Sequence, residues 1–380
     1  MKNIFILVGE RSADLHTSEF IKAIKKSDFD YTFWGIGGPK MQNLGFEPIF
    51  PFEKFSVIGF VEIIKHLKFF SEVIKKIRTE LIKRKPDLVI LVDYPGLNIK
   101  IAKIAKTLQI PVLYYISPQV WAWKKKRIHK IKKYTDKIAV IFPFEKKLYE
   151  KIGANVEFIG HPVSEEVKIQ FTKEEFVQKY KLDKGKKWLA FLPGSRDIEI
   201  EKILPEMIET IKKLQSQNNF EFLISRADSV SHKHFSELIE SQKSKLHIVE
   251  EIYDLIKYSN LVICKSGTSA LETGFIGTPM IVVYKTSFLS YFIAKLLIKI
   301  EMISMPNIIL KKKVVPELIQ KNANSDKITA EINLLLNDEK KYQKMKQELL
   351  VLREKLGSKK TSKNLARIVN SMSYETENKE

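Results

Sequence analysis

Five short stretches of this 380-residue chain combine residue types that do chemistry. Leu91-Val92-Asp93-Tyr94-Pro95-Gly96-Leu97-Asn98 ends an apolar run on a carboxylate. Partial desolvation there raises a carboxyl pKa and suits a general base, although an Asp in this place also caps helices. Val8-Gly9-Glu10-Arg11-Ser12-Ala13-Asp14 follows the first apolar run. Gly9 permits a sharp turn, and Ser12 is a candidate cap for a helix whose free N–H groups favour anions. Glu10, at the end of a strand, faces the ligand crevice and stands next in line to Asp93 as the base. Leu192-Pro193-Gly194-Ser195-Arg196 is a small-residue turn into a helix. Its amides and the Arg196 guanidinium form a diphosphate cradle. Lys265-Ser266-Gly267-Thr268-Ser269-Ala270-Leu271-Glu272 repeats the device, with three hydroxyls as donors. Glu272 is placed either to hold the two hydroxyls of a ribose or simply to favour the helix N-terminus. Two such turns mark the second half as nucleotide-binding. Ser117-Pro118-Gln119-Val120-Trp121-Ala122-Trp123 runs into Lys124-Lys125-Lys126-Arg127. Trp121 and Trp123 make either an aromatic and cationic surface for nucleic acid, sugar or lipid, or part of the core.

Other chemistries lack their signatures. There is no GxGxxG fingerprint and no GK[ST] of a P-loop, so neither dinucleotide binding nor nucleotide hydrolysis is implied. The seven histidines show no metal-ligand spacing, so no metal and no cofactor is expected. His161, in Gly160-His161-Pro162, reads as a structural turn. Asp28-Phe29-Asp30 has a D-x-D pattern but lies at the wrong end of a sheet.

The elements that must position these motifs alternate. Strands are expected at Asn3–Val8, Tyr31–Ile36, Leu88–Val92, Val112–Ile116 and Lys137–Ile141. A second series runs Trp188–Leu192, Phe220–Ile224, His247–Val249, Leu261–Cys264 and Met280–Val283. Helical patterns fall between them, which indicates βαβ units and parallel sheets. The reading is α/β: two doubly wound Rossmann-like domains facing across a cleft, with ligands at the carboxyl ends of strands. The expected domains are 1–162 and 188–345, joined by a polar linker region at 163–187. Helices at 346–372 pack back or swap with a partner in a possible homodimer, and 373–380 is a loose tail.

Composition bounds the partners. Apolar residues make up 44% of the chain and charged ones 29%, enough for packed cores. A single cysteine, Cys264, excludes a disulfide framework. Lys+Arg 65 against Asp+Glu 45 gives +20, which suits an anionic partner. The lysines are spread along the chain and no nucleic-acid-binding motif is present, so no nucleic acid is expected. No secretory signal or spanning segment is read, and a cytoplasmic soluble protein follows, one still able to sit on a membrane surface. Two basic amphipathic stretches suit either an ordinary half-buried surface helix, which composition alone favours, or an anionic lipid interface. One carries Phe55, Val57, Ile58, Phe60, Phe69 and Phe70; the other carries Phe288 and Phe292.

Taken in order, the motifs resemble those of the lipid-A-disaccharide synthase family, nearly end to end. The family's GEASGD resembles Gly9–Asp14, its GxxGPxM Gly35–Met41, its VMGxxEV Val57–Ile63 and its DxPxFN Asp93–Asn98. SPxVWAW is Ser117–Trp123; PFE, FxGHP, LPGSR and SGTxxLE fall at 143–145, 158–162, 192–196 and 266–272. LPN resembles Met305-Pro306-Asn307. The resemblance implies a GT-B fold and an inverting, metal-independent hexosyl transfer. The donor would be UDP-2,3-diacylglucosamine and the acceptor 2,3-diacylglucosamine 1-phosphate (lipid X). The products would be the β(1→6) disaccharide and UDP. Asp93 would deprotonate the acceptor 6-hydroxyl. Arg196, with the amides at 194–196 and 266–269, would receive the departing diphosphate. Glu272 would hold the ribose and Asn307 would lie near the donor. Ser12, Asp14, Trp121 and Trp123 would contact the acceptor or its loops. Acylated substrates would place the enzyme on the inner leaflet, peripheral on the cytoplasmic face of the inner membrane.

The chain departs from the family in two places. GEASGD reads GERSAD, so Arg11 replaces a small residue and Ala13 a glycine. Lys311–Lys313 stand where the family usually has a glycine. Within the same fold the alternatives are another UDP-sugar lipid transferase or a UDP-sugar epimerase; outside it, a basic nucleic-acid binder or a catalytically dead scaffold.

Overall fold

Runs of Val, Ile and Leu with no polar side become inner strands of parallel sheets, because both of their faces are covered. Lys2–Val8 and Leu88–Val92 do so in the first half, and Lys187–Leu192 and Leu261–Lys265 in the second. The computed structural model describes residues 1–27, 29–56, 67–121, 126–227, 230–240, 246–286, 301–357 and 360–374. The chain forms two compact units, Met1–Ser164 with Ser358–Glu380, and Glu165–Gly357.

The first unit holds β1 (Lys2–Val8), β2 (Tyr31–Ile36), β3 (Glu47–Pro48), β4 (Leu88–Val92), β5 (Val112–Tyr115), β6 (Lys137–Val140) and β7 (Val156–Phe158). They form one parallel sheet in the order β3-β2-β1-β4-β5-β6-β7. The second unit holds β8 (Lys187–Leu192), β9 (Phe220–Ser225), β10 (Leu246–Val249), β11 (Leu261–Lys265), β12 (Met280–Tyr284) and β13 (Glu317–Ile319). Its order is β10-β9-β8-β11-β12-β13, again parallel. Strand order reverses between β1 and β4 in one sheet and between β8 and β11 in the other. Such switch points open a crevice beyond the strands' carboxyl ends. Glu10 follows β1, Asp93 follows β4, the 193–196 turn follows β8 and the 266–269 turn follows β11. Topology alone therefore delivers four of the five motifs to switch points.

The ten expected strands all form. β3, β7 and β13 were not read from sequence; each has two or three residues, too few to show a period. The 163–187 stretch, read as a linker, carries a helix at Lys173–Tyr180. Thr172 and Glu175 form its capping box, and the buried Phe176 packs against Trp188 and Tyr258. Helix Glu339–Leu356 packs on helix Thr268–Ile276, where a Cβ on Gly274 would sit 2.6 Å from Leu352. The last helix, Thr361–Tyr374, belongs to the first unit and packs on helix Arg11–Ile24. Asn370 accepts from the Tyr31 hydroxyl at 2.7 Å, and Asn364 donates to the Ile159 carbonyl at 3.1 Å. Its buried Leu365 and Val369 supply the apolar seam. Among the described residues no helix is long and apolar enough to cross a membrane.

Candidate active site

In the first unit the candidate residues gather around the end of β4. Val8 pairs with Val92, so Glu10 and Asp93 leave neighbouring strand ends. Asp93 and Tyr94 both take left-handed backbone, at φ 46° and 36°, as does the β-branched Ile116 at 56° on the adjacent strand end. Each such residue costs about 1–3 kcal/mol and persists only where its surroundings fix it. Three groups do so here. The Asp93 N–H donates to the carbonyls of Tyr115 and Ile116, at 3.1 and 3.2 Å. The buried Asn98 amide donates to the carbonyls of Val92 and Asp93, at 3.0 and 2.7 Å. The Tyr114 hydroxyl donates to the same Asp93 carbonyl at 2.6 Å. Gly9 completes the fit: a Cβ there would lie 2.5 Å from the Tyr94 ring.

The Asp93 carboxyl is surrounded by protein yet keeps a partly exposed surface. Burial and, secondarily, the charge of Glu10 push its pKa up to about 7, against one stabilising N–H from Tyr94. That is the range of a general base at neutral pH. Glu145 lies deeper, 1% exposed, with its pKa pushed up by burial to about 8. It accepts from the Phe142 N–H at 3.3 Å, and the charges of Glu145 and Asp93 oppose each other. Trp121 meets Phe144 edge-on at 5.3 Å. His161 is neutral, pulled down to about 3 by burial and by His16, and its Nδ1 accepts from the Val163 N–H at 3.1 Å. It is a turn residue, as its Gly-His-Pro context suggests.

Several expected residues have other surroundings. Glu10, not Ser12, is the N-cap of helix Arg11–Ile24; Ser12 lies exposed in the first turn, so its capping role is corrected. Asp14 is buried and holds a loop, accepting from the N–H groups of Gly38, Lys40 and Met41 at 2.9, 3.1 and 3.3 Å. Ala13 lies inside the helix without positive φ, so the methyl that replaces glycine costs no strain. Arg11 is exposed at the first helical position. Phe55, expected at a lipid surface, is 1% exposed and belongs to the core with Phe50 and Phe69. The spacing of a buried aromatic cluster and of a lipid-facing stripe is the same, so the sequence left both readings open, and the lipid contact that the resemblance implied is corrected at Phe55. Phe69 and Phe70 are partly buried against that core. Trp123, Val57, Ile58, Phe60, Phe288, Phe292 and Asp28 lie outside the described residues.

The second unit carries two turns on adjacent strands, since Cys264 pairs with Leu192. Gly194 has φ 130° and Gly267 φ 153°. Ser195, Arg196 and Thr268 are exposed, and Ser269 is half-buried. The Ser266 hydroxyl, expected as a ligand donor, donates instead to the Ile303 carbonyl at 3.1 Å. Glu272 accepts from the Tyr253 hydroxyl at 3.3 Å. Asn307 is fully buried, and both ends of its amide are engaged. Its Nδ2 donates to the Val315 carbonyl and to Glu317, and its Oδ1 accepts from the N–H groups of Val314 and Val315. Glu317 also gathers the N–H groups of Ile303 and Ser304. Asn307 thus shapes the 303–317 loop. Lys311 ends helix Met305–Leu310 at φ 56°, which explains a glycine in that region of the family pattern.

Sequence reading gave no role to Asn98, Tyr114, Glu145, Glu199 or Lys265. Glu199 stands three residues after Arg196, the spacing of a capping box, and was findable on that ground. Tyr114 was not, because it lies inside an unbroken apolar strand. Among the described residues no group of His, Cys, Asp or Glu is arranged to hold a metal ion.

The chain is 38% identical to the lipid-A-disaccharide synthase of Nitrosococcus oceani, covering 93% of this chain and 92% of that one. It is 36% identical to that of Geobacter sulfurreducens, covering 97% of each. Among solved structures, the UDP-GlcNAc 2-epimerase of Neisseria meningitidis bound to UDP-GlcNAc superimposes with a TM-score of 0.66 at 14% identity, over 98% of this chain and 100% of that one. The glycotransferase of kitacinnamycin gives 0.65 at 13%, over 97% and 98%. These two likenesses speak to the fold, which is GT-B. The profile of the family described as lipid-A-disaccharide synthetase matches residues 4–369, and with relatives this similar over nearly the whole length, the chain belongs to the lipid-A-disaccharide synthase family, whose members are UDP-sugar glycosyltransferases.

Proposed function

We propose that the chain transfers 2,3-diacylglucosamine from UDP-2,3-diacylglucosamine to the 6-hydroxyl of 2,3-diacylglucosamine 1-phosphate, with inversion. The products are the β(1→6)-linked disaccharide 1-phosphate and UDP. The observation that carries this reading is Asp93: a recessed carboxyl near pKa 7, on strained backbone that three neighbours hold. In the reaction the Asp93 carboxylate takes the proton of the acceptor hydroxyl. That oxygen attacks the anomeric carbon, and the bond from this carbon to the diphosphate oxygen breaks. The electron pair leaves with UDP, and protonated Asp93 returns its proton to water. Arg196 and the amides of the 193–196 and 266–269 turns offset the charge that grows on the diphosphate. Glu272 binds the ribose. Asp14 and Asn307 act indirectly, by shaping the loops that carry these groups.

The acyl chains of both substrates require work at a lipid surface, and a net charge of +20 favours an anionic inner leaflet. Epimerisation of a soluble UDP-sugar is the competing activity for this fold. The test is incubation with both acylated substrates in mixed micelles, with product mass and UDP followed together. Disaccharide and UDP in equal amounts are expected. Epimerised UDP-sugar, or UDP release without disaccharide, would contradict the reading.

A further inference from the structure

Lys265 and Glu199 join the two turns of the second unit, and neither was needed for the reaction above. Lys265 is the last residue of β11, and Glu199 lies in the first turn of helix Asp197–Gln215, after β8. The Lys265 ammonium lies 2.7 Å from Glu199 Oε1, and Glu199 Oε2 accepts from the Ser195 N–H at 3.3 Å. One carboxylate therefore fastens the lysine to the 193–196 turn. Glu199 also fills the space beside Gly194, and the Lys265 ammonium lies in contact range of Gly267. A Cβ on Gly194 would lie 2.7 Å from Glu199 Oε2, and one on Gly267 would lie 3.4 Å from the Lys265 ammonium. With φ of 130° and 153°, these are the positions where only glycine sits without strain. Both side chains are mostly covered, at 21% exposure for Lys265 and 12% for Glu199, so the cation is held rather than waving in water.

We propose that Lys265 is a second cation for the donor's diphosphate, beside Arg196, and that Glu199 is the positioning residue that holds it between the turns. The proposal rests on the reading of the 193–196 and 266–269 turns as the diphosphate cradle. An ammonium has three N–H donors and an extended stem, so it serves Glu199 and still reaches a phosphate oxygen. Glu199 keeps the lysine extended over the glycines when no donor is present. The lone carboxylate would repel a diphosphate, and Lys265 cancels that repulsion. The pair thus recognises the diphosphate and is indifferent to the nucleoside.

The test is calorimetric titration of the full-length protein with UDP and with uridine, for wild type, Lys265→Met, Lys265→Arg, Glu199→Gln and Arg196→Ala. A lost charge-assisted contact weakens binding roughly tenfold or more. Lys265→Met is expected to lose UDP affinity by that factor while uridine affinity stays within about twofold. Lys265→Arg should keep most of it, and Glu199→Gln should fall between the two, because the cation is present but unheld. Equal losses for UDP and uridine in Lys265→Met would assign the lysine to general loop structure and overturn the proposal. So would wild-type UDP affinity in Lys265→Met alongside weakened binding in Arg196→Ala. If UDP affinity survives in both Lys265→Met and Arg196→Ala, the diphosphate cradle itself is misassigned, and the proposal falls with it. If the methionine variant folds poorly, Glu199→Gln carries the test: wild-type UDP affinity there, or equal losses for UDP and uridine, would overturn the proposal.

Discussion

Glu10→Gln should move the enzyme's acid limb downward. Asp93 titrates near 7 for two reasons, burial first and the Glu10 charge second. The pairing of Val8 with Val92 puts the two carboxyls on adjacent strand ends, whose spacing is about 5 Å, with Glu10 one residue further out. A unit charge at about 7 Å in a surrounding of effective dielectric about 20 contributes about 2 kcal/mol. Glu10 is exposed, so solvent screening reduces this to roughly half, or about 0.5–1 pK unit. The sign follows from charge. Neutralising Glu10 makes the Asp93 carboxylate easier to form, so its pKa drops towards roughly 6.3. At pH 6 the variant then holds about three to four times more ionised base than wild type. Initial rates of UDP release between pH 5 and 9, at subsaturating substrate, report this free-enzyme ionisation. An acid limb that stays put or moves up would refute the electrostatic reasoning. Loss of activity at every pH would make Glu10 the base and Asp93 its neighbour.

Further predictions follow from the same geometry. Asn98→Ala removes the donor to the Val92 carbonyl and one of two side-chain donors to the Asp93 carbonyl, and should cost about 1–3 kcal/mol of stability, read from denaturant midpoints. Tyr114→Phe removes only the hydroxyl that holds the Asp93 carbonyl; it should cost about 1 kcal/mol and lower kcat more than it raises KM. Glu145 has a folded pKa of about 8, raised above its usual 4.5. Its contribution to stability is therefore complete below about 4.5 and is lost as pH rises through about 8. Glu145→Gln does not titrate, so its unfolding free energy should gain on wild type across that window, by up to roughly 3–5 kcal/mol in urea melts at increasing pH. Lys311→Gly relieves a left-handed residue at a helix end and should be neutral or stabilising by up to about 1 kcal/mol in thermal melts.

The frame of both sheets was legible because their inner strands are unbroken apolar runs, a signal that needs no context. Motif placement was legible too, since each motif directly follows such a run. What could not be read were facts of contact. Phe55 is as aromatic in a core as on a lipid surface, and only packing against Phe50 and Phe69 decides between them. Asn307 looks like a ligand residue until its amide is seen to be consumed by Val314, Val315 and Glu317. Ser12 has the right type for a cap, but the chain enters the helix two residues earlier, at Glu10. The left-handed backbone at Asp93, Tyr94 and Ile116 leaves no trace in composition, because none of the three is glycine.

The central claim is that Asp93 is the base that activates the acceptor. The most direct measurement compares Asp93→Asn with wild type in two assays on the same preparation: disaccharide formation from both acylated substrates, and UDP binding by calorimetry. Asparagine keeps the shape and removes the base, so turnover should fall by roughly 10²–10⁴ while UDP affinity is unchanged. Turnover within about tenfold of wild type, with UDP binding intact, would contradict the account.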